Sequence, residues 1–331
     1  MSHTSERRQL LTGTGAALAS AVISAPLRAQ GKSIVPGGTL KIVVGYAVGG
    51  GTDVIIRAMS DRLKDAIGAN IVIENRPGAS GMLAPAQMKT APADGSVICF
   101  TPGVSTIEQR VSKKSIPFDL ADLAPISLAG TVPTVYCVSS TLGLGKLADY
   151  VNWVKANPKQ ANFGTAAMGS TTHFFGIELG NALGLQLQPI AYKGTGPLLT
   201  DIVAGHVPAG CGGLTSFLQH HRSGKVNILT VSSGARSLAA PELPTVSEQG
   251  FPKLSSEGFY SFWAPARTPP EVLEALSREI RAALEPADIR QRLLGLGLET
   301  RTSTPAELRD YQAQALAKFA ASFKAGGGVP E

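Results

Sequence analysis

Residues 40–57 read Leu-Lys-Ile-Val-Val-Gly-Tyr-Ala-Val-Gly-Gly-Gly-Thr-Asp-Val-Ile-Ile-Arg, and this stretch constrains the fold more than any other. Its apolar, β-branched front half predicts a buried strand. Three glycines follow, and then Ile55, Ile56 and Met59 begin a helical spacing. A strand that turns through glycine into a helix points unpaired backbone N–H groups at one spot, along the positive end of the helix dipole. Such a spot suits an anion. Strand–glycine–helix turns are common in α/β domains, however, and one alone does not make a site.

The pattern recurs. Residues 71–74 and 96–101 predict further strands, joined by a turn at 75–81 and a helix over 82–90, with Pro102-Gly103-Val104-Ser105 opening another loop. This β–α–β–α–β order predicts a parallel sheet, whose ligands bind beyond the carboxyl ends of the strands. Residues 129–139 read as one strand crossing to a second module. There the motif returns as strand 162–166, turn 167–173 and helix 174–183, and again as strand 187–192, loop 193–196 and a helix from Pro197. Strands 207–211 and 228–232 flank a helix over 214–223. Residues 259–265 form an aromatic, extended return link. Capping boxes at Thr268–Glu271 and Thr304–Glu307 predict two C-terminal helices, with a short one between them.

Residues 1–29 stand apart. A charged start, a weakly apolar Ala/Gly/Thr-rich middle and a small residue at Ala29 read as a signal peptide. Arg7-Arg8-Gln9-Leu10-Leu11 partly matches the twin-arginine export signal, although Glu6 stands where a small polar residue is usual. After Ala29 no apolar run approaches the ~18 residues of a membrane span. The expected location is the periplasm. The division that follows is 1–29 signal peptide, 30–131 with 253–331 as one domain, and 132–252 as the other.

Charge and cysteine content exclude several classes. The formal net charge is +6, but the basic residues are scattered and no run resembles a nucleic-acid patch. Cys99, Cys137 and Cys211 share no close spacing, which argues against zinc or a redox pair and for buried free thiols. No serine lies in a Gly-x-Ser-x-Gly elbow, and the histidines lack zinc spacing. The turn at Gly49 has neither a dinucleotide-binding frame nor the lysine of a P-loop. No cofactor, metal or catalytic residue is therefore expected.

Motifs spread along the chain resemble those of the substrate-binding receptors of tripartite tricarboxylate transporters, the Bug family. The matching residues are Gly49-Gly50-Gly51-Thr52-Asp53 with Arg57, Glu74-Asn75-Arg76-Pro77-Gly78-Ala79, Asp94-Gly95, Gly169-Ser170 with His173, Tyr192-Lys193-Gly194, Asp201, Pro244-Thr245 with Glu248 and Gly250, and Ala264-Pro265 with Thr268-Pro269. They occur in family order. The resemblance implies an α/β, two-lobed periplasmic binding protein (type II-like) with its ligand cleft between the lobes. It implies a monomer that closes on a small organic carboxylate and delivers it to transporter membrane subunits. It further implies that backbone N–H groups, hydroxyls and waters hold the carboxylate. Gly45-Tyr46, the aromatic run 259–263 and Cys211-Gly212-Gly213 depart from the family pattern.

The expected ligand-binding residues on the first lobe are Tyr46, Gly49, Gly50, Gly51, Thr52, Ser80 and Ser105, with Asp53 as support. Asp53 would repel an anion and is expected to pair with Arg57 four residues on. Tyr46 is either an aromatic wall or a core residue, and each serine either meets the ligand or caps a helix. On the second lobe the candidates are Gly169, Ser170, Thr171, Gly194 and Thr195, with His173 as either a donor to a carboxylate or a brace for its loop. Tyr46 and the aromatic link favour a carboxylate with an aromatic or apolar body. Two other classes share these features: a secreted α/β enzyme acting on a carboxylated or phosphorylated molecule, and a periplasmic sensory module.

Overall fold

The computed structural model describes residues 33–325 and Pro330, so the signal-peptide reading of residues 1–29 lies outside the described residues. The elements run β1 (Thr39–Val44), α1 (Gly51–Ile67), β2 (Asn70–Asn75), α2 (Leu83–Gln87), β3 (Val97–Pro102), α3 (Val104–Ser112), β4 (Leu123–Val132), β5 (Thr134–Ser139) and α4 (Leu147–Ala156). They continue with β6 (Asn162–Thr165), α5 (Thr171–Ala182), β7 (Gln188–Ala191), α6 (Thr195–Val203), β8 (Ala209–Gly213), α7 (Leu214–Arg222) and β9 (Val226–Val231). The chain closes with β10 (Gly258–Pro265), α8 (Pro270–Leu284), α9 (Ala287–Gly295), β11 (Glu299–Thr300) and α10 (Pro305–Ala325).

Two sheets with helices on their faces make two lobes. The first sheet has the order β11-β4-β10-β3-β1-β2, and the second β7-β6-β8-β5-β9. Within the first, β1 pairs parallel with β2 and β3, as the β–α–β order requires. The sheet is mixed rather than wholly parallel, because β10 inserts between β3 and β4 and runs antiparallel to both. That strand returns from the second lobe, so its direction is set by where the chain comes from and not by a local crossover.

The expected single strand over 129–139 is two strands. Pro133 lacks the N–H a ladder needs, and the chain changes sheets there: β4 belongs to the first and β5 to the second. The lobes are not separated by water, since one continuous apolar cluster includes Leu40, Ile42 and Phe262 from the first and Val135, Leu198 and Phe217 from the second. Helix α1 packs on both α7 and α8.

Local signals account for some helix ends. Gly68 closes α1 in the left-handed conformation, its N–H returning to Lys64 O at 3.0 Å. The Thr304–Glu307 box forms, with Thr304 N to Glu307 Oε2 at 2.8 Å and Glu307 N to Thr304 Oγ1 at 3.2 Å. The box expected at Thr268 does not form: Pro269 is the N-cap of α8, and the buried Thr268 hydroxyl has no hydrogen-bond partner. Helix α6 starts at Thr195, which puts Pro197 third rather than first, still within the turn whose N–H groups lack helical partners. Helix α2 is shorter than the expected 82–90.

The largest departure is α3, where a loop was expected after Pro102. Its buried face carries Ser105, Thr106, Glu108, Gln109 and Ser112 beside Ile107. A helix that buries polar groups leaves no apolar stripe to read. Those groups have partners on the other lobe, described below. Cys99, Cys137 and Cys211 are all buried free thiols, and burial pushes each above its ordinary range.

Candidate functional site

Four helices of at least nine residues begin at one cavity between the two sheets. It is lined by Gly50, Gly51 and Thr52 at the start of α1, Ser170, Thr171 and Thr172 at α5, Thr195 at α6, and Gly213 and Ser216 at α7. Tyr46, Pro102, Ala166, the β4–β5 link (Val132, Thr134) and β10 (Gly258, Phe259, Tyr260) complete it. Its volume is about 80 Å³, less than the ~150 Å³ that admits benzene in an engineered cavity. Among the described residues no charged side chain lines it. Each helix start contributes partial positive charge, and the four add at one place.

The first-lobe turn spends most of its donors within the protein. Gly49 N–H donates to Asp53 Oδ2 at 3.0 Å, Gly50 N–H to Ala47 O at 3.3 Å, and Gly51 N–H crosses to Ser216 Oγ at 3.0 Å. Thr52 stands at the wall, its hydroxyl bonded to Tyr260. Gly51 has no room for a side chain, because a Cβ there would lie 2.3 Å from Thr215 Oγ1 and 2.7 Å from Ser216 Oγ. Glycine is what lets the lobes meet at this point.

Asp53 faces away from the cavity. Its carboxylate, 2% exposed, accepts from Arg57 Nε at 2.9 Å and Asn75 Nδ2 at 3.0 Å as well as from Gly49. Burial acts to raise its pKa, but these three bonds outweigh it and hold the carboxyl below its ordinary value. Asn75 Nδ2 also donates to Tyr46 O at 3.0 Å, so one network fixes the glycine turn and the adjoining tyrosine.

Tyr46 lines the cavity, and its hydroxyl lies 2.7 Å from Ser105 Oγ and 3.2 Å from Ser80 O. Burial raises its pKa far above the ordinary value. Ser105 and Ser80 are not themselves in the wall. Ser105 sits behind Tyr46, and Ser80 Oγ donates across the lobes to Met168 O at 3.1 Å. The neighbouring Gly45 has a structural cause, since a Cβ there would be 2.1 Å from Gly81 O.

On the second lobe, Ser170 caps α5. Its hydroxyl donates to Ala167 O at 2.6 Å and accepts from His173 N at 3.3 Å. Thr172 Oγ1 lies 2.9 Å from Ser170 Oγ and 2.8 Å from Thr165 Oγ1. His173 Nδ1 accepts from Gly169 N–H at 3.2 Å, on the loop side, and neither residue lines the cavity. Gly194 stands just outside as the N-cap of α6, at φ +111°, with its N–H on Ala166 O at 2.9 Å.

Seven of the expected residues therefore meet at the cavity: Tyr46, Gly50, Gly51, Thr52, Ser170, Thr171 and Thr195. Gly49, Asp53, Ser80, Ser105, Gly169, His173 and Gly194 flank it. Ser216 and Gly213 were missed, although Cys211-Gly212-Gly213-Leu214-Thr215-Ser216 repeats the strand–glycine–helix signature. Phe259 and Tyr260 were read as part of an aromatic link that favours an apolar-bodied ligand, and not as individual site residues. Glu108, whose carboxylate reaches Thr171, carries no local signal at all.

The model of the tripartite tricarboxylate transporter family receptor matches residues 55–326. This chain belongs to that family. The receptor is 30% identical over 314 residues to protein BugT of Bordetella pertussis, spanning 94% of this chain and 95% of that protein. Among solved structures it resembles the periplasmic binding protein BugD, with 28% identity and a TM-score of 0.83 over 89% of this chain and 100% of that one. It also resembles Rpa4515 of R. palustris, solved with adipate, with 26% identity and a TM-score of 0.84 over 89% and 99%. The family is one of solute-binding receptors for carboxylates, not of enzymes. Among the described residues no helix is long and apolar enough to cross a membrane.

Proposed function

We propose that the receptor captures one small organic carboxylate in this cavity by closure of its lobes and presents it to the membrane subunits of a transporter. The carrying observation is the convergence of four helix N-termini on a cavity without a charged side chain. An anion there is held by backbone dipoles and hydroxyls, which need no counter-ion and release it when the lobes part. A similar protein has been solved with adipate, a small carboxylate.

The carboxylate contacts are assigned to Gly50, Gly51, Thr52, Ser170 and Thr195, with Thr171 held by Glu108 at the same wall, and an apolar wall to Tyr46, Phe259 and Tyr260. Gly49, Asp53, Ser80, Ser105, Gly169, His173 and Gly194 position them. The lobe division is 30–131 with 253–331 against 132–252, hinged near Pro133. The first 29 residues direct export to the periplasm, and the exported receptor acts as a monomer.

A thermal-shift screen of residues 30–331 against organic acids tests the reading, because a ligand that binds only the native state raises its melting temperature by mass action. The expected result is a saturable rise with one carboxylate class that disappears when the carboxylate becomes an amide. No rise with any acid refutes it.

A further inference from the structure

The start of α5 is already occupied by a carboxyl group that the protein supplies. Glu108, on α3 of the first lobe, reaches the second lobe, where its carboxylate accepts from both the hydroxyl and the backbone N–H of Thr171. Thr171 is the first residue of α5 and lines the cavity. Glu108 is 8% exposed, and its Oε2 has no hydrogen-bond partner. Its neighbours fasten the same loop: Gln109 Nε2 donates to Gly169 O at 2.7 Å, and Ser112 Oγ to Gly169 O at 3.3 Å. A three-residue face of α3 thus clasps the Gly169–Thr171 turn. That clasp is why a helix with a polar buried face exists here.

We propose that Glu108 is a specificity-determining residue that fills one anion position of the site from within, so that the receptor selects ligands with a single carboxylate and an uncharged remainder over dicarboxylates. The inference rests on the carboxylate-receptor reading and narrows it. Two physical terms act together. The Thr171 donors are already bonded, so a second ligand carboxylate brought to α5 finds them taken. Where Glu108 is ionised, that carboxylate also meets a like charge with no cation in the wall to offset it. Tyr46, Pro102, Val132, Ala166 and Phe259 offer the remainder of a ligand apolar surface instead.

The test is titration calorimetry on residues 30–331 with three ligands of equal chain length: a monocarboxylate, the dicarboxylate and the monoamide of that dicarboxylate. The expected wild-type result is a monocarboxylate and monoamide bound at least about tenfold more tightly than the dicarboxylate. Glu108→Ala vacates the α5 start and should bring the dicarboxylate to parity or better. Glu108→Gln keeps the side chain's shape, removes the charge that the carboxyl carries above about pH 8 and should narrow the ratio several-fold in titrations at about pH 9, so the test survives if the alanine variant fails to fold. Wild-type preference for the dicarboxylate overturns the inference, as does a ratio unchanged in the variants, while the receptor reading stands. Failure of all three ligands and of the wider acid screen overturns both.

Discussion

Glu108→Gln should change how stability depends on pH. Burial pushes the Glu108 carboxyl up from its ordinary 4.5 to about 8, partly offset by the two bonds from Thr171, with Glu178 of α5 adding a like charge. Below pH 4.5 the group is protonated in both the folded and the unfolded chain, and its full contribution to stability is present. As pH rises, the unfolded chain releases its proton first, and folding becomes less favourable until the folded carboxyl also ionises near pH 8. The distance from 4.5 to about 8 corresponds to roughly 4–5 kcal/mol at about 1.4 kcal/mol per pH unit. Ionisation inside the clasp also favours parting of the lobes, which admits water and brings the expected loss to about 2–3 kcal/mol between about pH 5 and pH 8. Urea unfolding of both proteins across that range measures it. The wild type should lose about 2–3 kcal/mol more than Glu108→Gln, because the burial that raises Glu178 is present in both proteins. Parallel profiles would refute the argument and mean that Glu108 meets solvent in the folded protein.

Gly51→Ala should weaken carboxylate binding by about tenfold or more, because relieving the 2.3 Å approach to Thr215 forces the lobes apart, and overpacking of this kind costs about 1–3 kcal/mol. Calorimetry of the ligand found in the acid screen checks it, with helicity by circular dichroism unchanged. Tyr46→Phe removes the bond to Ser105 and leaves that buried hydroxyl with its weaker 3.4 Å approach to Ser80 O, at about 1–2 kcal/mol in urea unfolding. Asp53→Asn should flatten acid denaturation: the wild-type carboxyl sits below its ordinary value, so its contribution is present above about pH 4 and fades as pH falls through the folded value. Thr304→Ala should lose about 1 kcal/mol through the cap of α10, whereas Thr268→Ala should cost far less, since that hydroxyl caps nothing.

The contrast between Thr304 and Thr268 shows how far local signals reach. Both carry the same box pattern, yet α10 is capped by it at Thr304 while α8 takes Pro269 as its N-cap. Tyr46 could be read as wall or core and is both: it faces the cavity and is bonded behind. Ser80 and Ser105 have the residue type and loop position of ligand contacts, but Tyr46 and Met168 take their hydroxyls.

What the sequence determined by itself is whatever depends on neighbours a few residues apart: β-branched runs into glycine, the left-handed cap at Gly68 and the box at Thr304. Repeated along the chain, these specify two α/β modules and place helix starts at strand ends. The tertiary structure decided which of those starts face one another, that β10 returns antiparallel between β3 and β4, and that the Gly51 N–H meets Ser216. It also decided that α3 is a helix. Glu108, Gln109 and Ser112 are buried because the other lobe supplies their partners, and a pairing across the cleft leaves no periodicity in either segment.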